Sequence, residues 1–294
     1  MKAADTSGPG PTPKRILLSW SGGKDSAWAL HLLRQNPDYK VVALLTTLNE
    51  KFRRVAIHGF REELLDRQAA SIGLPLWKVD LPFPCSNADY ESRMAQVSAR
   101  AVAEGLHGIA FGDLFLEDIR AYRIAMLSGT GLQPIFPVWT PDLGITTAEL
   151  ACQMIADGLR AHLTCIDPRR LNPSFAGRTF DADLLADLPA DVDPCGERGE
   201  FHTFAFAGPM FSRTLSVLPS GTVERDNFIY AELLPTPNPE PDPSGSAHLD
   251  LAVLVAGLPI PGSNLHRLRP DHGQARLERL RIQRRPVVEA RGLL

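Results

Sequence analysis

At 294 residues the chain can bury a substantial core in one or two domains, and its 44% apolar and 22% charged residues are those of an ordinary globular protein. A formal net charge of −3 speaks against a protein that coats nucleic acid, while leaving room for a single nucleotide in a cleft. No apolar run approaches the roughly 20 residues that span a bilayer, so no membrane partner is expected.

Residues 1–14 are polar, with glycine and proline, and lack the apolar segment of a signal peptide; they read as a disordered N-terminus, and a cytoplasmic address is expected. Short apolar runs at 15–20, 40–46, 76–79, 108–112 and 133–138 read as strands, several apolar throughout, as strands buried on both faces should be. Helical segments fall between them at 24–34, 58–72, 88–104, 117–127 and 146–157. In the second of these, Ile57, Phe60, Leu64, Ala69 and Ile72 share one side, and Gly73-Leu74-Pro75 stops the run. Such alternation implies an α/β domain over 15–157, a parallel sheet with helices on both faces, whose ligands bind beyond the carboxyl ends of the strands. Over 158–234 the pattern shifts to β structure at 201–206, 214–218 and 227–234, with a turn at Pro219-Ser220-Gly221. This reads as a smaller C-terminal α+β, substrate-binding portion. The segment 235–294 reads as a proline-rich linker (PTPNPEPDPSGS) and an arginine-rich tail. The four cysteines, Cys85, Cys152, Cys165 and Cys195, are widely spaced without a C-x-x-C pair, which points to idle thiols rather than a disulfide framework or a zinc site.

The first strand runs into Ser19-Trp20-Ser21-Gly22-Gly23-Lys24-Asp25-Ser26 and then a helix. Gly22 and Gly23 permit backbone angles that let successive amides point into one concavity. The helix N-terminus brings free N–H groups and its positive end to the same place. With the hydroxyls of Ser19, Ser21 and Ser26 and the Lys24 cation, this set suits a pyrophosphate, and Asp25 suits a helix cap or a Mg²⁺-bridged phosphate partner. The Walker spacing is absent, because Asp25 follows Lys24 and no glycine lies five residues before Gly23.

Further candidates sit after the other strands. Thr46 and Thr47 follow the second and are placed to meet adenine or ribose. Gly112 and Asp113 follow the fourth, Asp113 as a ligand of Mg²⁺ or of substrate, with Asp118, Arg120 and Arg123 on the helix behind it. His58, Arg61 and Gln68 mark the polar side of the second helix, where His58 opens the helix and Arg61 suits a two-pronged grip on a carboxylate. The block Gly196-Glu197-Arg198-Gly199-Glu200-Phe201-His202-Thr203 concentrates carboxylates, an imidazole and a hydroxyl. A strand from Glu200 would put Glu200 and His202 on one face; Glu197 and Glu200 suit a cation, Mg²⁺ or ammonium, and His202 suits proton transfer. The competing reading of each group is a solvated helix face, a local ion-pair network or a plain turn.

The phosphate loop resembles that of the PP-loop ATP pyrophosphatases. With AIHGFREELLDRQAASIGLPL from Ala56, FGDLFLEDIRAYR from Phe111, PIFPVW from Pro134 and DPCGERGEFHTFAFAGPMF from Asp193, the likeness narrows to the diphthine–ammonia ligase family, over about residues 15–234. That resemblance implies a Rossmann-like PP-loop fold using ATP and Mg²⁺, and an AMP-forming reaction in which a carboxylate is adenylated and ammonia then makes an amide. It implies Lys24, Glu197, Glu200 and His202 as catalytic, Thr203 with His58, Arg61, Asp113, Asp118, Arg120 and Arg123 toward substrate, and Asp25 and Asp113 toward Mg²⁺. The partners implied are a carboxylate-bearing acceptor and ammonium; the oligomeric state stays open, a homodimer included. The family's diphthamide acceptor belongs to archaeal and eukaryotic elongation factor 2, whereas the arginine-rich composition here suggests a GC-rich, bacterial genome. The chain also reads Glu-Phe-His-Thr where the eukaryotic type has Glu-Tyr-Glu-Thr, so a changed acceptor is expected. Two other readings are an RNA-modifying thiolation enzyme, which needs a reactive Cys85 or Cys195, and a nucleotide-binding sensor.

Overall fold

The computed structural model describes residues 12–237, so the expected linker and tail from residue 238 onward and most of the N-terminal segment lie outside it. The first strand, β1 (Lys14–Ser19), carries Ile16 and Leu18 to one face and Leu17 to the other, the alternation a doubly covered strand requires. Helices α1 (Lys24–Gln35) and α2 (Glu62–Ile72) close the first face with Ala27, Leu30, Leu33, Leu64 and Leu65. Helix α3 (Asn87–Ala103) and the end of α4 (Glu117–Leu127) close the second with Met94, Val97, Ala101 and Leu127. The parallel strands β2 (Tyr39–Asn49), β4 (Leu76–Leu81), β5 (Gly108–Ala110) and β6 (Gln133–Ile135) complete the sheet. β1 lies between β2 and β5, β4 lies beyond β2 and β6 beyond β5, and the short antiparallel β3 (Arg54–Val55) pairs with the end of β2. The α/β expectation with helices on both faces therefore holds. Chain direction through the sheet reverses at β1, so the crevice for ligands opens beyond the carboxyl ends of β1 and β5.

After the short α5 (Thr140–Leu143) and α6 (Thr147–Ala156), which starts on a Thr146–Glu149 capping box, the chain enters an antiparallel sheet. Its order is β8 (Phe201–Ala207), β7 (Arg160–Ile166), β10 (Phe228–Pro235), β9 (Val217–Arg225), with α7 (Ala182–Asp187) between β7 and β8. Leu163, Phe201 and Phe204 of this sheet bury themselves in the same cluster as Leu18 and Phe60, so both sheets share one core.

Three expectations are corrected here. The second helix begins at Glu62 rather than 58, because Ile57 (φ 64°) and Gly59 (φ 70°) take left-handed angles that end any helix upstream. Strand β7 was not expected: Ala161 and Leu163 alternate into the core, but an irregularity between Leu163 and Cys165 breaks the pattern, and Ile166 takes the next core position. Pro219-Ser220-Gly221 lies inside β9 instead of turning; the hairpin turns at Asp226 (φ 51°) and Asn227 (φ 65°), a pair of residues tolerant of two positive angles in succession.

Gln68, read as part of a polar helix side, is fully buried. It accepts from Trp20 Nε1 (3.0 Å) and donates to the carbonyls of Gly22 (2.8 Å) and Ala205 (2.7 Å), tying α2 to the glycine loop and to β8. Gln68→Leu leaves the Trp20 N–H and the Ala205 carbonyl buried without partners. Urea unfolding should show a loss of about 2–5 kcal/mol, with the midpoint moved and the denaturant slope unchanged.

Candidate active site

The chain between β1 and α1 turns on Gly22 at φ 77°, where a Cβ would meet the Phe60 ring at 2.4 Å and Gln68 Oε1 at 2.7 Å. The left-handed angle and the crowding both demand glycine. The turn aims the Gly22 carbonyl at β8, where it accepts from Ala205 N at 2.8 Å. Helix α1 opens on Gly23, which has no side chain to cap it. Thr203 of β8 supplies the missing cap: its Oγ1 accepts from Lys24 N at 3.0 Å. The serines complete the loop, with Gly23 N donating to Ser21 Oγ (3.3 Å), Ser21 and Ser26 hydroxyls 3.2 Å apart, and Ser26 Oγ donating to Gly23 O (3.0 Å). On the other side Gly112 lets the end of β5 come against α1, where a Cβ would lie 3.0 Å from Ser26 N.

Above this loop lies a cleft of about 1040 Å³. Its nucleotide-sized floor is made by Ser19, Ser21, Lys24, Asp25, Ser26, Thr46, Thr47 and Gly112, with Asp113 and Arg123 at one end. His58, Glu197, His202 and Thr203 form a wall that, at His58 and Thr203, stands directly against the glycine loop. Thr46 Oγ1 donates to Trp20 O at 2.6 Å, so it braces β2 against the loop while its neighbour Thr47 also meets the cleft.

The Gly-Glu-Arg-Gly-Glu block is a folded-back turn. Asp193 Oδ1 accepts from the backbone N–H groups of Cys195 (2.9 Å) and Glu197 (3.3 Å). Glu200, fully buried, accepts from Asp193 N (3.2 Å) and Arg198 N (2.9 Å) and lies 3.4 Å from Arg170. Its carboxylate is spent on holding the turn and does not line the cleft, so it is not brought to the reacting side of His202. Glu197 is presented instead, its Oε1 accepting from Leu114 N at 2.9 Å and so joining the block to the loop after β5.

Other expected residues stand apart from the cleft. Arg61 is half exposed beside Glu232 (3.6 Å). Arg120 stacks on Trp139 (4.6 Å) and reaches Asp142 (3.4 Å), and Asp118 sits in the first turn of α4, where an acid suits the helix dipole. Conversely, Arg169, Arg170 and Tyr230 line the wall without having been singled out. The first two follow the unexpected strand β7.

Charge in the cleft is desolvated. Burial works against the Lys24 cation, but Asp25, 2.9 Å away, outweighs it and holds the pKa above the ordinary lysine value. The Cys195 carbonyl accepts from the same ammonium. Asp113 is pushed up by burial, with Arg123 (3.4 Å) opposing. Glu197 is pushed up to about 8 by burial and by repulsion from Asp25. Burial, then Lys24, lowers His58 to about 4, and burial, His58 and Lys24 lower His202 well below its ordinary value. Among the described residues no three metal-ligating side chains converge. Mg²⁺ bound with a nucleotide takes one or two carboxylates and completes its shell with phosphate oxygens and water. Asp25 and Asp113 on the cleft floor fit that demand, and the serine hydroxyls and α1 fit the phosphates.

Residues 14–128 match the family description "Diphthamide synthase N-terminal domain" and residues 147–230 match "Diphthamide synthase C-terminal domain". A diphthine–ammonia ligase of Danio rerio is 27% identical over 246 residues, covering 74% of this chain and 91% of that protein. An argininosuccinate synthase of Burkholderia pseudomallei (strain K96243) is 39% identical over 88 residues, 27% of this chain and 20% of that protein, so that likeness concerns one segment only.

The raised pKa of Glu197 has a stability consequence of definite sign. A carboxyl that holds its proton more tightly when folded stabilises the fold fully below its unfolded value. That contribution is lost as pH rises toward about 8. Glu197→Gln, which keeps the shape without the titration, should therefore gain stability relative to the parent between about pH 5 and about pH 9 in denaturant titrations. A pH-independent difference between the two proteins would refute the buried, neutral carboxyl.

Proposed function

The chain belongs to the diphthamide synthase family, and from that premise we propose that it is an ATP-dependent, AMP-forming carbon–nitrogen ligase that adenylates a carboxylate and converts it to an amide with ammonia. The observation that carries this reading is the convergence, at one cleft, of a hydroxyl-lined helix N-terminus and the carboxyl and imidazole groups of the Glu197–Thr203 block. A carboxylate is a poor acyl donor, and joining it to the α-phosphate gives it a good leaving group. The protein's part is then to position and to neutralise charge.

In this reading Ser21, Ser26 and the free amides at the start of α1 hold the phosphates, with Ser19 beside them. Thr46 and Thr47 stand toward the nucleoside. Asp25 and Asp113 would hold Mg²⁺, which supplies charge neutralisation at the departing pyrophosphate. Lys24 reaches the cleft floor as a cation already paired with Asp25, so its contribution is a fixed field rather than a mobile clamp. The acceptor carboxylate comes in along the wall of His58, His202 and Thr203. Its oxygen attacks the α-phosphorus, the bond to the β-phosphate breaks, and pyrophosphate leaves. Ammonia then displaces AMP from the acyl carbon.

Thiolation chemistry finds no suitable sulfur in this cleft. Cys195 is buried with its thiol pushed well above the ordinary value by burial, and its Sγ donates to Thr147 O at 3.3 Å. Cys85 does not line the cleft and is likewise pushed up, by burial and by Asp89. A thiol held in the neutral form is a weak nucleophile. Among the described residues no helix is long and apolar enough to cross a membrane.

The test is product analysis with ATP, Mg²⁺, ammonium and carboxylate-bearing acceptors, a diphthine-bearing peptide among them. Equimolar AMP, pyrophosphate and amide are expected; ADP with phosphate would falsify the class. Ser26→Ala should lower kcat/KM for ATP about tenfold or more, the worth of one hydrogen bond to a charged group, and should cost about 1 kcal/mol in unfolding for the lost bond to the Gly23 carbonyl.

A further inference from the structure

His58 is held between two parts of the site. Its Nδ1 lies 2.8 Å from the Thr203 carbonyl, which can only accept, so Nδ1 carries the proton and the lone pair resides on Nε2. No protein group among the described residues bonds that Nε2, and the side chain lines the cleft. The ring presses on the glycine loop itself, since a Cβ on Gly23 would stand 2.7 Å from His58 Cε1. It packs against His202 with ring centroids 4.9 Å apart. By contrast, among the described residues neither nitrogen of His202 has a protein partner to fix its tautomer. A nucleophile's base is recognised by a third group that orients it, and among the described residues His58 has one and His202 has none.

We propose that His58, oriented by the Thr203 carbonyl and packed on His202, is the proton acceptor of the amidation step, and that phosphates bound at the glycine loop bring it into that role. This rests on the ligase reading above and moves the proton-transfer task from His202 to His58. The step balances as follows. The ammonia nitrogen bonds to the acyl carbon, and the bond from that carbon to the phosphoryl oxygen breaks. AMP leaves as its dianion, and the third ammonia proton passes to Nε2, giving an imidazolium and a neutral amide.

The electrostatics agree with a base that is idle until nucleotide arrives. Burial and the Lys24 cation depress the imidazole in the free cleft. The Cys165 thiol across from His202 and the Tyr230 phenol packed on Gly59 are both pushed up and so neutral, while the Arg54 guanidinium, which donates to the adjacent Gly59 carbonyl, is paired with Glu232. The charge that acts on His58 in the free protein is the Lys24 cation, and phosphate oxygens above Gly23 would oppose it, raising the imidazole toward its ordinary value.

Calorimetric titration of the full chain with α,β-methylene-ATP and Mg²⁺, at about pH 6.5 in two buffers of different ionisation enthalpy, reads the coupled proton. The parent should take up about half a proton more than His58→Asn, because an imidazole restored to about 6.5 is half charged there. Asparagine keeps an N–H for the Thr203 carbonyl, and His202→Asn should retain the uptake. Equal uptake by the parent and His58→Asn, or loss of uptake only in His202→Asn, overturns the assignment. Nitrogen-15 NMR of the free parent gives a second reading that needs no variant. The Nδ1–H tautomer of His58 is expected, and the opposite tautomer overturns it. If the analogue fails to bind the parent at all, the nucleotide reading itself falls, and the inference with it.

Discussion

The glycine loop is not held by the helix it introduces alone; a strand from the other sheet and Gln68 of α2 brace it from outside. Gly22 turns its carbonyl out at a left-handed angle, and Ala205 N and Gln68 Nε2 meet it there, while Thr203 Oγ1 caps the amide of Lys24. Each such bond adds only about 1 kcal/mol net, but leaving buried partners unmade costs more. The loop and β8 are consequently bound to form together or not at all. A phosphate cup made of short side chains and backbone is rigid only if something outside it fixes the backbone, and here that support comes from chain 180 or so residues downstream.

That dependence explains the electrical character of the cleft. Bringing β8 against the loop removes water from Lys24, Asp25, Asp113 and Glu197 together. Desolvated charge survives only in pairs, and the pairs are visible: Lys24 with Asp25, Arg123 with Asp113. Glu197 has no cation of its own and keeps its proton instead. On the floor of the cleft Lys24 and Arg123 are already paired with Asp25 and Asp113, so a polyanion bound there is better matched when it arrives with a divalent cation. The carboxyls on the floor then complement the metal, and the hydroxyls and amides complement the phosphates.

How far the sequence revealed this depends on the range of the forces involved. Strands and helices of the first sheet follow from local apolar periodicity and breakers, and α4 begins and ends where the pattern places it, at Glu117 and Leu127. The serines and glycines of the loop were legible because a single stretch of chain contains them. His58 meets the cleft as expected, but the partners that fix His58, Gln68 and Glu200 were not legible in the sequence. His58 needs the Thr203 carbonyl, Gln68 needs Gly22 and Ala205, and Glu200 is drawn inward by the amides of its own turn. Polar residues at helical spacing look solvated until the element they serve is known. The Asp226-Asn227 hairpin was a local signal passed over in favour of a glycine and a proline.

The division of labour between the two sheets also bears on how an acceptor is chosen. The floor of the cleft grips with backbone amides and hydroxyls, groups that recognise phosphate and little else. The facing wall is built from individually distinct side chains, His58, His202, Arg169, Arg170 and Tyr230, carried on a strained turn and on the ends of β7, β8 and β10. On the ligase reading proposed above, a change of acceptor can therefore be accommodated on that wall while the nucleotide grip stays as it is, provided the backbone of Thr203 and Ala205 is not disturbed. The same residues that brace the loop mark the boundary between what this fold holds fixed and what it is free to vary.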